Sequence, residues 1–167
     1  MVRVLAKSAV LLVGLVAIQT ATGIGQQIAV PSYEHDPRVA ALRGFFETLH
    51  SPASDLSEDF LLAADRHGLD WRLLPSIAAI ESGGGRVSMN NNILGWDSCR
   101  KSFPSVRAGI YTVADRLANS NLYKNKDLDG KLKLYNPNAT YPAKVKWLMA
   151  RLATRLEHTT LEWRRAL

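Results

Sequence analysis

Apolar residues recur along this chain at spacings of three and four and seldom alternate, so the pattern predicts helices rather than strands. Asp36 is placed to cap a first helix with Pro37 at its first position, and Val39, Leu42, Phe46 and Leu49 then repeat on one face. The tetrapeptide S-P-A-S at 51 to 54 interrupts it. Ser54 or Asp55 is predicted to cap a second helix with Leu56, Phe60, Leu61 and Ala64 inward and Gly68 as its left-handed stop; His67 beside that stop reads as a helix-end residue. Asp70 is predicted to cap a third helix, in which Pro75 is tolerable only near the first turn. A fourth follows with Val106, Ile110, Val113 and Leu117 on one side, closing near Ser120. Lys124 to Leu134 reads as a short helix and turn containing Gly130. The last helix opens at Thr140, with Pro142 in its first turn, and carries the strongest stripe: Val145, Leu148, Met149, Leu152 and Leu156. The expected class is all-α, about six helices around one core.

One stripe ends on the wrong residue type. In the third helix Leu74, Ile77, Ala78 and Glu81 fall at i, i+3, i+4 and i+7, so a carboxyl stands where a leucine is expected. Burial and the carbonyl end of a helix both favour the protonated form of an acid, which is the form a general acid must keep. Gly83, Gly84 and Gly85 follow it, and no periodicity resumes between Arg86 and Lys101, where the asparagines mark turns.

Composition narrows the possibilities. At 167 residues there is room for one domain with a real core. Residues 1 to 25 form a separate unit: Arg3 and Lys7 precede the apolar run Ala9 to Ile18, and small residues follow, the layout of a cleaved secretory signal. Residues 26 to 35 read as a polar leader and 36 to 167 as the domain. Export to the periplasm or the exterior is the expected localisation, with membrane contact through the signal only and a monomeric domain. Removing Arg3 and Lys7 takes the formal charge from +6 to +4, a mild excess that suits solubility or an anionic polymer. No basic run interleaved with aromatics appears, so nucleic acid is not an expected partner. Cys99 is the single cysteine, excludes an intrachain disulfide and reads as a small buried residue. Metal-binding spacings, phosphate-cradling glycine loops and G-x-S-x-G are all missing from the sequence, so no metal or cofactor is expected.

The run G-L-D-W-R-L-L-P-S-I-A-A-I-E-S-G-G-G, followed by N-N-N-I-L-G-W, resembles the lysozyme-like superfamily. Within it the likeness is to bacterial glucosaminidases of the mannosyl-glycoprotein endo-β-N-acetylglucosaminidase type, with the lytic transglycosylases as cousins. F-P-S-V-R-A-G-I-Y and Y-N-P-N-A-T-Y-P-A-K-V resemble the segments that follow in those families, so the likeness runs over roughly residues 55 to 157. Two departures stand out. The usual E-S-G-W-G-x-S becomes E-S-G-G-G-R-V-S, and Asn138 and Ala139 stand in the tyrosine segment where an alanine-threonine-aspartate run is common.

The resemblance implies a lysozyme-like fold with a substrate cleft, and a glycosidase of β-1,4-linked amino sugars, peptidoglycan above all. It implies Glu81 as the general acid and Tyr135 as a second catalytic group. Ser82, Asn91, Asn92, Trp96 and Tyr141 become substrate-binding candidates, the amides meeting sugar hydroxyls and the indole stacking on a sugar face. Trp71, Trp147 and Trp163, at helical positions, read as core. No second carboxylate stands out, since Asp97, Asp115, Asp127 and Asp129 all fit loop or helix-face positions; a single acid assisted by the sugar's own acetamido group is compatible, as are water attack and intramolecular transglycosylation. The alternatives are a lytic transglycosylase, a non-catalytic wall-binding or scaffold module on the same fold, and an endoglycosidase of glycoprotein glycans.

Overall fold

Three of the six α-helices among the described residues begin where a short polar side chain takes up a free N–H group of the first turn. In the computed structural model, which describes Tyr33 and residues 35 to 166, α1 runs Pro37–Thr48 with the Asp36 carboxylate accepting from Arg38 N. A short 3-10 turn, Pro52–Leu56, leads into α2, Ser57–Arg66. The central helix α3 is Leu73–Ser82, α4 is Val106–Asn119 capped by Ser105, α5 is Leu128–Tyr135 capped by Asp127, and α6 is Tyr141–Ala166. Among the described residues there is no strand. The expected signal segment, and all of the leader except Tyr33 and His35, lie outside the described residues.

Several boundaries differ from the expected ones, each for a local reason. Ser51, not Ser54 or Asp55, is the cap that starts the second helical segment, because its Oγ accepts from Ala53 N while donating to Gly84 O 33 residues away. Asp70 does cap, but it closes a turn over Trp71 and Arg72 before α3 begins at Leu73; its carboxylate accepts from Arg72 N and pairs with the Arg72 guanidinium. Pro75 is therefore the third helical residue, where its missing N–H leaves no intrahelical bond unmade. Tyr33, read as leader, is buried in the core cluster, and its hydroxyl donates to Asp65.

Seven of the ten residues of α3 are buried, with Leu74, Ile77 and Ala78 wholly so. Those three are members of the predicted stripe, whereas Glu81, its fourth, is only half-buried at the end of the helix. α3 packs against α2 and α6; α1 packs against α6 and α2; α4 lies on α2 and α5 on α6. Phe46 and Phe60, both fully buried, join α1 to α2 with ring centroids 5.2 Å apart. Each large apolar side chain so enclosed contributes roughly 2 kcal/mol against leaving it in water. The end of α5 is tied back by Lys131, whose ammonium donates to Leu117 O near the carbonyl end of α4. Trp147 and Trp163 are corrections to the sequence reading: they are 58% and 39% exposed rather than core, whereas Trp71 is half-buried against the cluster.

Candidate functional site

The long loop between α3 and α4 is held by side chains, because its backbone has no regular ladder to join. Asn92, 2% exposed, donates from Nδ2 to Trp96 O at 2.8 Å and Lys101 O at 3.0 Å, and its Oδ1 accepts from Trp96 N at 2.9 Å. Asn91 donates to Phe103 O and Asn90 to Cys99 O, so the triplet stitches the two arms of the loop together. Ser82, at the end of α3, donates to Ile93 O at 2.7 Å and accepts from Gly85 N at 2.8 Å. Asn92 and Ser82 thus have their polar atoms engaged inside the protein and frame the loop, whereas Asn90 and Asn91 are exposed and their side chains commit only the amide N–H groups.

The loop also stores backbone strain. Asn90, Asn91, Asp97, Ser98 and Cys99 all have positive φ, between 52° and 58° for the first four and 61° for Cys99. For Ser98 and Cys99 this costs about 1–2 kcal/mol each relative to the right-handed conformation, and less for the asparagines and Asp97, whose short polar side chains tolerate it. Three in succession at 97 to 99 turn the chain sharply after Trp96, and Cys99 is half-buried there rather than packed in the core.

That turn presents Gly95 to the catalytic candidate. Gly95 has φ +68°, and a Cβ on it would lie 2.5 Å from Glu81 Oε2 and 2.9 Å from its Cδ. The Glu81 carboxylate is therefore seated directly on bare backbone, at a position where a side chain is excluded twice over. Gly84 plays the corresponding part at the other end of the loop: a Cβ there would overlap Ser51 Oγ, so the helix end and the 3-10 turn can close only on glycine.

Beside Glu81 lies a row of aromatic rings. Tyr141 stacks on Tyr135 with centroids 6.2 Å apart and planes 7° from parallel; Tyr135 meets Trp96 edge-on at 5.6 Å, and Trp96 lies 5.7 Å from Tyr123. Tyr135 Oη donates to Leu94 O at 2.5 Å, fixing the ring against the loop. The Tyr141 hydroxyl is buried without a hydrogen-bond partner, and the Glu81 carboxylate is near enough for its charge to act on it. Burial pushes both phenols well above their ordinary value, and the negative charge of Glu81 pushes them the same way. Tyr123 is raised by burial as well. All three are thus hydrogen-bond donors, not anions, throughout the neutral range.

Two depressions adjoin this row. One, of about 330 Å³, is lined by Trp96, Asp97, Lys101, Leu122, Tyr123 and Tyr135 among others. The other, of about 460 Å³, is an apolar groove with Ile80, Thr140 and Trp147 in its wall. Glu81 lines neither, but Ile80 precedes it in α3, and Gly95, against which it packs, precedes Trp96. The structure thus brings Glu81, Trp96, Tyr135 and Tyr141 together, with Ser82 and Asn92 buried and Asn91 exposed on the loop that carries Trp96. Of the other carboxylates, Asp97 lines the first depression and pairs with Arg100; Asp127 caps α5, Asp129 pairs with Lys146, and Asp115 accepts from Asn119. Tyr123 is a site residue missed by the sequence reading, since an aromatic in a turn between helices carries no periodic signal. Among the described residues no cluster of three or more His, Cys, Asp or Glu side chains is arranged to hold a metal ion, and no helix is long and apolar enough to cross a membrane.

No protein-family model, curated protein or solved structure matches the chain.

Proposed function

We propose that the chain is an exported glycosidase of lysozyme-like fold that cleaves β-1,4-linked amino-sugar glycans, with peptidoglycan as substrate and Glu81 as general acid. The observation that carries this reading is the seating of the Glu81 carboxylate on Gly95, beside an aromatic row that lines a depression. A glycosidic bond breaks when a proton reaches the leaving oxygen and the oxocarbenium-like centre is stabilised. Glu81 supplies the proton. Tyr141, whose buried hydroxyl has no hydrogen-bond partner, keeps a donor for the Glu81 carboxylate beside it. Trp96, half-buried on the wall of the depression, offers a ring to a sugar. Asp97 is the carboxylate placed on the wall of the depression, where it pairs with Arg100.

The experiment is digestion of purified cell walls by the chain lacking residues 1 to 25, with product mass spectrometry to separate reducing ends from anhydro-sugars. Glu81→Gln is expected to abolish release with an unchanged circular dichroism spectrum. One observation favours a second reading, a wall-binding module without activity: Glu81 lines neither depression. Wall pull-down by both proteins with no product from either selects that reading; neither product nor binding from the wild type refutes both.

A further inference from the structure

We infer that the cavity between α1 and α6 is a binding site for a phosphate group. The cavity, about 440 Å³ and open to solvent, lies on the α1 side of α6 and is lined by Thr48 and by Arg151, Arg155, His158 and Glu162. Those four residues of α6 fall at i, i+4, i+7 and i+11, one stripe of the helix. Two guanidinium groups therefore face the same space.

Neither is held by a carboxylate. Arg38, Arg72, Arg100 and Arg107 each pair with a carboxylate within 3.0 Å, whereas Arg151 and Arg155, like Arg43, Arg66, Arg86 and Arg116, form no such pair among the described residues; what is particular to these two is that both line one cavity. Arg155 instead rests in the notch left by Gly44, where a Cβ would stand 2.7 Å from its Nη1. Arg151 lies over the Trp147 ring with its central carbon 4.8 Å from the centroid, a contact that uses the face of the guanidinium and leaves its N–H edge free. Both groups are positioned by uncharged contacts and keep their charge and donors for something else. Around them the threonine hydroxyls are already engaged: Thr48 donates to Phe45 O, Thr154 to Ala150 O and Thr159 to Arg155 O. The donors left for a guest are those of the two arginines and His158.

That donor set suits an anion with three or more oxygens. A planar guanidinium fork takes two oxygens at once, and two forks with an imidazole exceed what a single carboxylate can accept. Glu162, at one end of the stripe, is the one carboxylate on the wall, and it opposes an anion. The site is independent of Glu81 and of the glycosidase reading.

Isothermal titration of the whole chain with inorganic phosphate and with glycerol 3-phosphate at low salt, with acetate as control, tests the inference. Saturable binding of the phosphates and not of acetate is expected. Arg155→Gln should weaken it roughly ten-fold or more, the worth of a charge-assisted hydrogen bond. Gly44→Ala should weaken it too, by displacing the guanidinium while leaving a better helix former in α1, so its melting temperature should not fall. Glu162→Gln should tighten it. Co-sedimentation with phosphatidylglycerol vesicles tells a lipid headgroup from a free phosphate ester: competition by glycerol 3-phosphate and loss in Arg155→Gln assign the lipid, and no sedimentation assigns the soluble ester. The inference is overturned if phosphate binding does not saturate, or if Gly44→Ala, Arg155→Gln and Glu162→Gln all bind as the wild type does.

Discussion

The contact between Glu81 and Gly95 can be tested by adding one methyl group. In Gly95→Ala the new Cβ meets Glu81 Oε2 at 2.5 Å, Cδ at 2.9 Å and Cγ at 3.0 Å, on a backbone with φ +68°. The left-handed conformation alone costs an alanine about 1–2 kcal/mol. Carbon and oxygen atoms settle at about 3.5 Å, so the carboxylate must also withdraw by roughly 1 Å, which forces its side chain off a favoured rotamer at about 1 kcal/mol. Gly68→Ala separates the two terms, because Gly68 has φ +61° and nothing within 4 Å of an added Cβ. Urea unfolding followed by tryptophan fluorescence should therefore show Gly95→Ala destabilised by about 2–3 kcal/mol and Gly68→Ala by about 1–2. The excess should vanish when Gly95→Ala is combined with Glu81→Ala, since the clash partner is gone. On cell walls, a displacement of roughly 1 Å in the acid should lower the rate about 100-fold. If Gly95→Ala is no less stable than Gly68→Ala and clears walls at the wild-type rate where Glu81→Gln is inactive, the seating of the carboxylate on Gly95 has no part in catalysis.

Three further outcomes follow from the same loop and row. Asn92→Ala removes three hydrogen bonds to Trp96 and Lys101 and should cost about 3 kcal/mol, read by chemical denaturation, with loss of the near-ultraviolet signal of Trp96 before global unfolding. Ser98→Gly, at an exposed residue with φ +52°, should raise the unfolding midpoint by the equivalent of about 1 kcal/mol, since glycine relieves the left-handed strain; a lowered midpoint would contradict it. Tyr123, Tyr135 and Tyr141 have folded values above the ordinary phenol range, so above pH about 10 the unfolded chain loses protons that the folded chain keeps, and stability present in full below that pH falls as pH rises. Each such phenol adds up to about 1.4 kcal/mol per pH unit to the slope. Tyr141→Phe should reduce the slope by one proton while leaving stability at pH 7 nearly unchanged, because the hydroxyl it removes has no full hydrogen bond there.

Legibility from sequence followed the range of the interactions. Asp36, Ser105 and Asp127 cap helices through bonds to N–H groups two or three residues on, and Gly68 stops α2 at φ +61°. The caps at Asp36 and the stop at Gly68 are readable because the partner sits in the same short window. Ser51 escaped notice as a cap because half of its job is to hold Gly84, which is close only after α1, the 3-10 turn and the end of α3 have packed. The tryptophans failed for the opposite reason. Periodicity places Trp147 on a helix, but which face of α6 is covered depends on the neighbours that fold against it, and α1, α3 and α5 leave that face open.

The sequence by itself determined the all-helical class, the stripe of α3 and the anomalous acid at its end, since hydrophobic spacing at three and four has one compact solution. Only the tertiary structure decided what stands next to that acid. Glu81 meets Gly95 fourteen residues on, Tyr141 stacks on Tyr135, and the buried Asn92 bonds the two arms of the loop together. These juxtapositions depend on positive φ values and side-chain-to-backbone bonds in a segment with no period, and packing of α5 and α6 against the body is what brings the two tyrosines to the carboxylate.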